Sequence, residues 1–128
     1  MKLLKVMIFG LLIGFPALVH AQTNSEKVDE LKSVLKQSLY KSEVNIDEKN
    51  NVSRVDNNGY KFNFNLSDVL EIKYDFDGFH NVLILMKEGK TVEVVFAGNK
   101  TEYKLNVLAF HNQTDCDKAI ELLKQLIE

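Results

Sequence analysis

Cysteine is down to a single residue in this chain of 128, tryptophan is missing, and neither a basic cluster nor an apolar run of membrane-spanning length is present. Each absence removes a class of protein. The lone Cys116 has no partner for a disulfide within its own chain, and without a Cys/His tract the chain alone cannot build a structural zinc site. The 16 Lys and Arg are interspersed among 18 acids, so the clustered cations that neutralise phosphates on nucleic acid or on an anionic membrane are lacking. No Gly-rich phosphate cradle, no paired ligands at metal spacing and no nucleophile-base spacing stand out, and no cofactor is expected. Internal repeats and low-complexity stretches are missing too. What remains is ordinary globular material, 45% hydrophobic and 27% charged, at a length that fits one domain.

The first segment has a different character. Lys2 and Lys5 precede an apolar stretch from Val6 to Phe15, and Pro16 to Ala21 form a short exit with Val19 and Ala21 at the small-residue positions. This is the pattern of a secretory signal peptide over residues 1–21, cleaved before Gln22. The apolar stretch is well short of the roughly 20 residues that a spanning helix needs. An exported product, periplasmic or secreted, with no stable membrane anchor is therefore expected. Residues 22–128 would form a single α+β domain carrying 14 basic against 18 acidic residues.

Within that domain the hydrophobic period changes twice. Val28, Leu31, Leu35 and Leu39 fall on one stripe of an amphipathic helix between Thr23 and about Lys41, and Thr23 with Glu26 three residues on fits a capping box. Residues 42–59 are polar, with one short strand expected at Val52 to Val55 and a tight turn at Asn58-Gly59. Alternating runs follow: Tyr60 to Leu66, Leu70 to Phe76, Val92 to Phe96 and Tyr103 to Phe110, with the uninterrupted apolar run Val82 to Met86 expected to be covered on both faces. Alternation places Tyr60, Phe62, Phe64, Tyr74, Phe76, Phe96, Tyr103 and Phe110 mostly toward the interior. A second amphipathic helix is expected from about Asp115 to Ile127, capped by Thr114. Hairpin-length links require antiparallel pairing, so the expectation is α+β: a helix, an antiparallel meander of five to six strands as a curled roll or open sheet, and a closing helix.

Two phrases carry a resemblance. Phe64-Asn65-Leu66-Ser67-Asp68-Val69-Leu70-Glu71-Ile72 reads as a strand entering a polar kink and leaving as another strand. Leu108-Ala109-Phe110-His111-Asn112, followed by Thr114 and Asp115-Cys116-Asp117-Lys118-Ala119, reads as a last strand running into a capping helix. Together they make the stretch from Val52 to Glu128 resemble the pleckstrin-homology-like roll. That resemblance implies a binding or scaffolding module, because such folds are used mostly for recognition. The phosphoinositide site of that group does not carry over: the loop after the first strand is Asp56-Asn57-Asn58-Gly59, with only Arg54 and Lys61 nearby.

Polar chemistry is densest at Asp75-Phe76-Asp77-Gly78-Phe79-His80-Asn81. Asp75, Asp77 and His80 would be the core of a small hydrolase or cation-dependent site, although calcium needs about six to eight oxygens and the bidentate Glu of an EF-hand loop is lacking. The favoured reading is a hairpin turn shaped by Asp77-Gly78, with Asp75 facing solvent. Catalysis by His80 would need Ser67 or Cys116 within reach. Cys116 shares the apolar stripe of the last helix, which favours a buried small hydrophobe. Phe79 beside Gly78 is a candidate interaction anchor. The expected function is thus a small exported, non-enzymatic binding or interaction module for a protein or peptide partner, using a sheet face, the Phe79 bend or a free strand edge.

Overall fold

The computed structural model describes residues 23–128, so the segment read as a signal peptide lies outside the described residues. Helix α1 (Asn24–Leu35) begins at the expected capping box: the Thr23 side chain accepts the Glu26 amide, and Glu26 reaches back to the Thr23 amide. It is shorter than its apolar stripe. Past Leu35 the chain bends so that the Leu39 amide bonds the Ala109 carbonyl, and Ser38 bridges to Phe110.

Eight strands follow, where the alternation resolves five to six: β1 (Glu43–Ile46), β2 (Asn51–Val55), β3 (Lys61–Asn65), β4 (Val69–Phe76), β5 (His80–Met86), β6 (Val92–Phe96), β7 (Asn99–Tyr103) and β8 (Leu105–Phe110), closed by α2 (Gln113–Ile127). All pairing is antiparallel, and the class is α+β as expected. The strands divide between two sheets, one of order β1-β2-β3-β6-β7 and one of order β4-β5-β8. The β4 and β5 hairpin therefore interrupts the first sheet, and β3 pairs with β6 rather than with its successor.

The two additional strands have local causes. β1 is read as loop in the sequence because only Val44 and Ile46 mark its inner face, yet Val44 is buried opposite Arg54. β7 is polar up to its last residue, Tyr103, and wholly exposed, held by its hairpin to β6. The linking residues Ala97 and Gly98 both take positive φ, the twist that two-residue hairpins require. The polar kink of the first phrase is a 3-10 turn at Leu66–Asp68, capped by the Asn65 side chain. A bulge then separates Val69 from Glu71 in the pairing with β5. Its extra residue turns Leu70 outward, 63% exposed, so Val69 and Ile72 rather than Leu70 supply the buried face of β4.

Helix α2 starts two residues earlier than the sequence suggests. Asn112, not Thr114, is its cap, accepting the Asp115 amide while its own amide group donates to the Asp115 carboxylate. The helix packs on β4, β5 and β8, and α1 packs on α2 and β1. Lys118 of α2 reaches Glu30 of α1 at 3.4 Å. One buried cluster joins the layers, with Leu31 and Leu35 from α1, Val52 and Phe64 from the first sheet, Val82, Ile84 and Phe110 from the second, and Ala119 and Leu122 from α2. At such positions truncation of Ile or Leu to Ala costs about 2 to 5 kcal/mol. On β5, Val82, Ile84 and Met86 are buried on the inner face while Leu83 and Leu85 on the other face are half-covered, so the apolar run is not enclosed on both faces as expected. Among the described residues no helix is long and apolar enough to cross a membrane.

Candidate functional site

The inner face of the five-stranded sheet is covered at one end and open at the other. Val52, Phe64 and Val92 are buried in the common core, whereas in the next row, Val44, Arg54, Phe62 and Val94 in register, Val44 and Arg54 stay buried but Phe62 and Val94 are only partly covered. Beyond that row, Tyr60 and Phe96 stack with ring centres 4.1 Å apart at 14°. Across from them stand Tyr103 and the β8 residues Leu105, Asn106 and Val107, with Tyr40 at one end. These side chains bound a cleft of about 530 Å3 between the two sheets. Five large apolar side chains that water reaches line it, Tyr40, Tyr60, Tyr103, Leu105 and Val107, and Phe96 backs it through its stack on Tyr60. Alternation assigned the right face to most of these rings, but their burial was overestimated, since of the eight aromatics expected inside only Phe64 and Phe110 are buried.

At the floor lies Arg54, the one arginine in a chain with fifteen lysines. It is 5% exposed. Its Nη1 donates to Ser42 Oγ at 2.7 Å and its Nη2 to Asn106 Oδ1 at 3.0 Å, so the side chain ties the first sheet to the edge of the second. Both partners are neutral. Among the described residues Arg54 makes no ion pair, and its buried Nε has no hydrogen-bond partner. Burial pulls the guanidinium down to about 10, opposed by the negative charge of Asp56, so it stays cationic at neutral pH. Asp56 is itself committed to the β2–β3 turn, where Oδ1 accepts the amides of Asn58 and Tyr60. The turn closes with Gly59 at φ 90°, while Asn58 keeps an ordinary φ.

A buried, unpaired guanidinium is expensive, and an arginine is better suited than lysine to fixed, planar recognition. In the sequence Arg54 figures only as one of two cations near the β2–β3 turn, too few for a phosphate site. The available signal was its place two residues from Val52 on the same face of β2, together with its being the single arginine.

The chain matches no protein-family model, no curated protein and no solved structure.

The bend singled out in the sequence lies elsewhere, at the end of β4 and β5. Asp77 Oδ1 accepts from Asn81 Nδ2 at 2.9 Å and from the Phe79 amide at 3.3 Å, and these bonds hold its carboxyl below the usual range. Asp75 is exposed on β4, in register with Asn81. His80 Nδ1 is 2.7 Å from Tyr74 Oη, with the Phe76 ring centre 5.0 Å from its own. Partial burial, helped by Cys116, Asp117 and Asp75, pushes the Tyr74 phenol up. Phe79 is partly exposed and sets its edge on His111 at 5.8 Å. The bend thus brings His80 to Tyr74 and Phe76, and Asp77 to Asn81, but joins no carboxylate to the imidazole by a hydrogen bond. Ser67 Oγ donates to Asn65. Cys116 is free and wholly buried, and burial with the nearby Asp117 pushes its thiol up to about 11. Among the described residues, no three His, Cys, Asp or Glu side chains converge at metal-holding distance.

Proposed function

We propose that the mature chain works outside the cytoplasm as a small binding module without a catalytic centre, and that its ligand seats in the cleft between the two sheets. One observation carries this reading: a concave surface lined by water-exposed Tyr40, Tyr60 and Tyr103 closes over the buried, unpaired Arg54. Each aromatic ring brings roughly 150 to 250 Å2 that gains by leaving water, and one fixed polar group among apolar walls is how binding sites orient what they hold. The volume of about 530 Å3 is that of a small ligand or a few residues of peptide. Export rests on Lys2, Lys5 and the short apolar run after them, and the roll-like resemblance of the sequence points to recognition as well.

Chemical-shift mapping tests the reading. The folded protein is titrated with a panel of small aromatic and aliphatic compounds and short peptides, with or without a charged group. Binding at the cleft moves the amides of Tyr60, Phe62, Tyr103 and Asn106. Shifts confined to Asp75 through His80, or no saturable shifts from any class of compound, would overturn it.

A further inference from the structure

We propose that the cleft receives the C-terminal end of an extended peptide, its main chain laid along the free edge of β8 and its terminal carboxylate held by Arg54. This rests on the cleft being the binding site and adds what occupies it. Two observations independent of the aromatic lining carry it, one of register and one of charge.

In the pairing of β5 with β8, His80 faces Phe110 and Asn81 faces Ala109. The Ala109 carbonyl turns away from β5 and accepts the Leu39 amide. Main-chain groups on an antiparallel strand alternate in direction residue by residue, so the N–H and C=O of Val107 and Leu105 point the same way as those of Ala109. β8 is the last strand of its sheet, and both residues border the cleft. An incoming strand therefore meets two residues' worth of donors and acceptors, the requirement for recognition by strand addition. The Leu39 contact stops the added strand short of Ala109, which leaves Val107 and Leu105 for it to pair with.

Charge then selects which segment. Arg54 uses one N–H of each Nη on Ser42 and Asn106, and a guanidinium has five N–H donors in a planar fork that fits a carboxylate. With no acid paired to it among the described residues, the strongest missing partner is an anion. A peptide terminus supplies a carboxylate on the same main chain that pairs with β8, and its last side chain, if apolar, reaches Tyr60, Phe62 and Tyr103. An internal peptide segment has no main-chain carboxylate to set beside its own strand pairing, and nucleic acid has no strand edge to add.

The test uses pools of acetylated hexapeptides varied over the last three positions and ending in Phe, Leu or Val, prepared with a free C-terminal carboxylate or as the C-terminal amide. The free-acid pool should bind at least about tenfold more tightly, as loss of a charge-assisted bidentate contact implies. The Val107 amide should become protected from hydrogen exchange on binding. Arg54→Met should bring acid and amide to equal affinity; should that variant fail to fold, the wild-type comparison and the Val107 protection decide alone. Equal affinity of acid and amide pools at the cleft would overturn the inference and leave the binding site standing. So would tighter binding of 3-phenylpropionate than of any peptide without Val107 protection, which would assign the cleft to small carboxylates. No cleft response to any probe, the panel compounds included, would overturn the site itself.

Discussion

The guanidinium carbon of Arg54 lies 3.9 Å from the centre of the Phe62 ring, and the two residues are register partners on adjacent strands. A cation over an aromatic face recovers part of the hydration it gave up, on the order of 0.5 to 2 kcal/mol. The ring also fixes the plane of the fork. Ser42 and Asn106 complete the support, so the charge is held in place by three neutral neighbours and neutralised by none of them. The binding role proposed for Arg54 draws on this arrangement, since a purely structural strut would be cheaper with its charge paired.

Asn106→Leu keeps the volume on β8 but takes the acceptor from a buried charge. It should lower stability by about 1.5 to 3 kcal/mol, the range for hydrogen bonds to charged groups. Urea denaturation of the wild type, Asn106→Leu, Arg54→Met and the double variant gives the coupling. A coupling near zero would mean that the Arg54–Asn106 contact adds nothing to joining the sheets.

Asp47 organises the β1–β2 turn by accepting the amides of Lys49 and Asn51 and the Asn51 side chain. These bonds hold its carboxyl below the ordinary value of 3.8. A group depressed in the folded state contributes its full stability above its unfolded pKa and loses it as pH falls through the folded one. Asp77 and Glu93 are depressed in the same direction. Stability should therefore fall as pH drops below about 4, and Asp47→Asn should lessen that fall while lowering stability at pH 7. Denaturation midpoints at pH 7 and pH 3 check it.

Cys116 should resist thiol reagents. Wholly buried, with its thiol pushed up to about 11, it offers little thiolate at pH 8. Reaction with a chromogenic disulfide reagent should be at least about a hundredfold slower in the native protein than in guanidinium chloride, and native preparations left in air should stay free of disulfide dimers. Rapid native labelling would mean that the N-terminal turn of α2 opens readily.

Ala97 occupies φ 52° in the β6–β7 hairpin, a region costly for an alanine and comfortable for asparagine or glycine. Ala97→Asn should raise stability by about 0.5 to 1 kcal/mol without altering the cleft. Thermal unfolding reads the change; a loss of stability would mean that the hairpin tolerates the strain for a packing reason.

How far the fold could be read ahead depended on what each signal encodes. The capping box at Thr23 and the turn at Gly59 are local chemistry, and both stand where the sequence puts them. Alternation tells which face a side chain shares with its neighbours, and it says nothing about how much of that face another layer covers. Tyr60 and Phe96 share the inner face with Phe64, yet the helices and second sheet end before reaching them. The bulge after Val69 reversed Leu70 because a register shift leaves no mark in a hydrophobic pattern. β7 has no apolar alternation, Tyr103 at its end being its one large apolar side chain, and it exists through its pairing with β6.

The site was harder to read than the fold. Asp75, Asp77 and His80 stand out because they fall within six residues of one another, whereas Arg54, Asn106 and Tyr103 lie on three strands from two sheets. Chemistry assembled across a topology has no spacing motif to find. Only the place of Arg54 two residues from Val52 on the same face of β2 pointed at a buried cation.

The four tyrosines offer the most direct check on the central claim, since Tyr40, Tyr60 and Tyr103 border the cleft while Tyr74 stands beside His80. Photochemically induced nuclear polarisation reports which tyrosine rings a dye in solution can touch. The account predicts four accessible rings in the free protein, and loss of the signals of Tyr60 and Tyr103 but not Tyr74 once a compound from the panel is bound. Silent cleft tyrosines in the free protein, or loss of Tyr74 alone on binding, would contradict it.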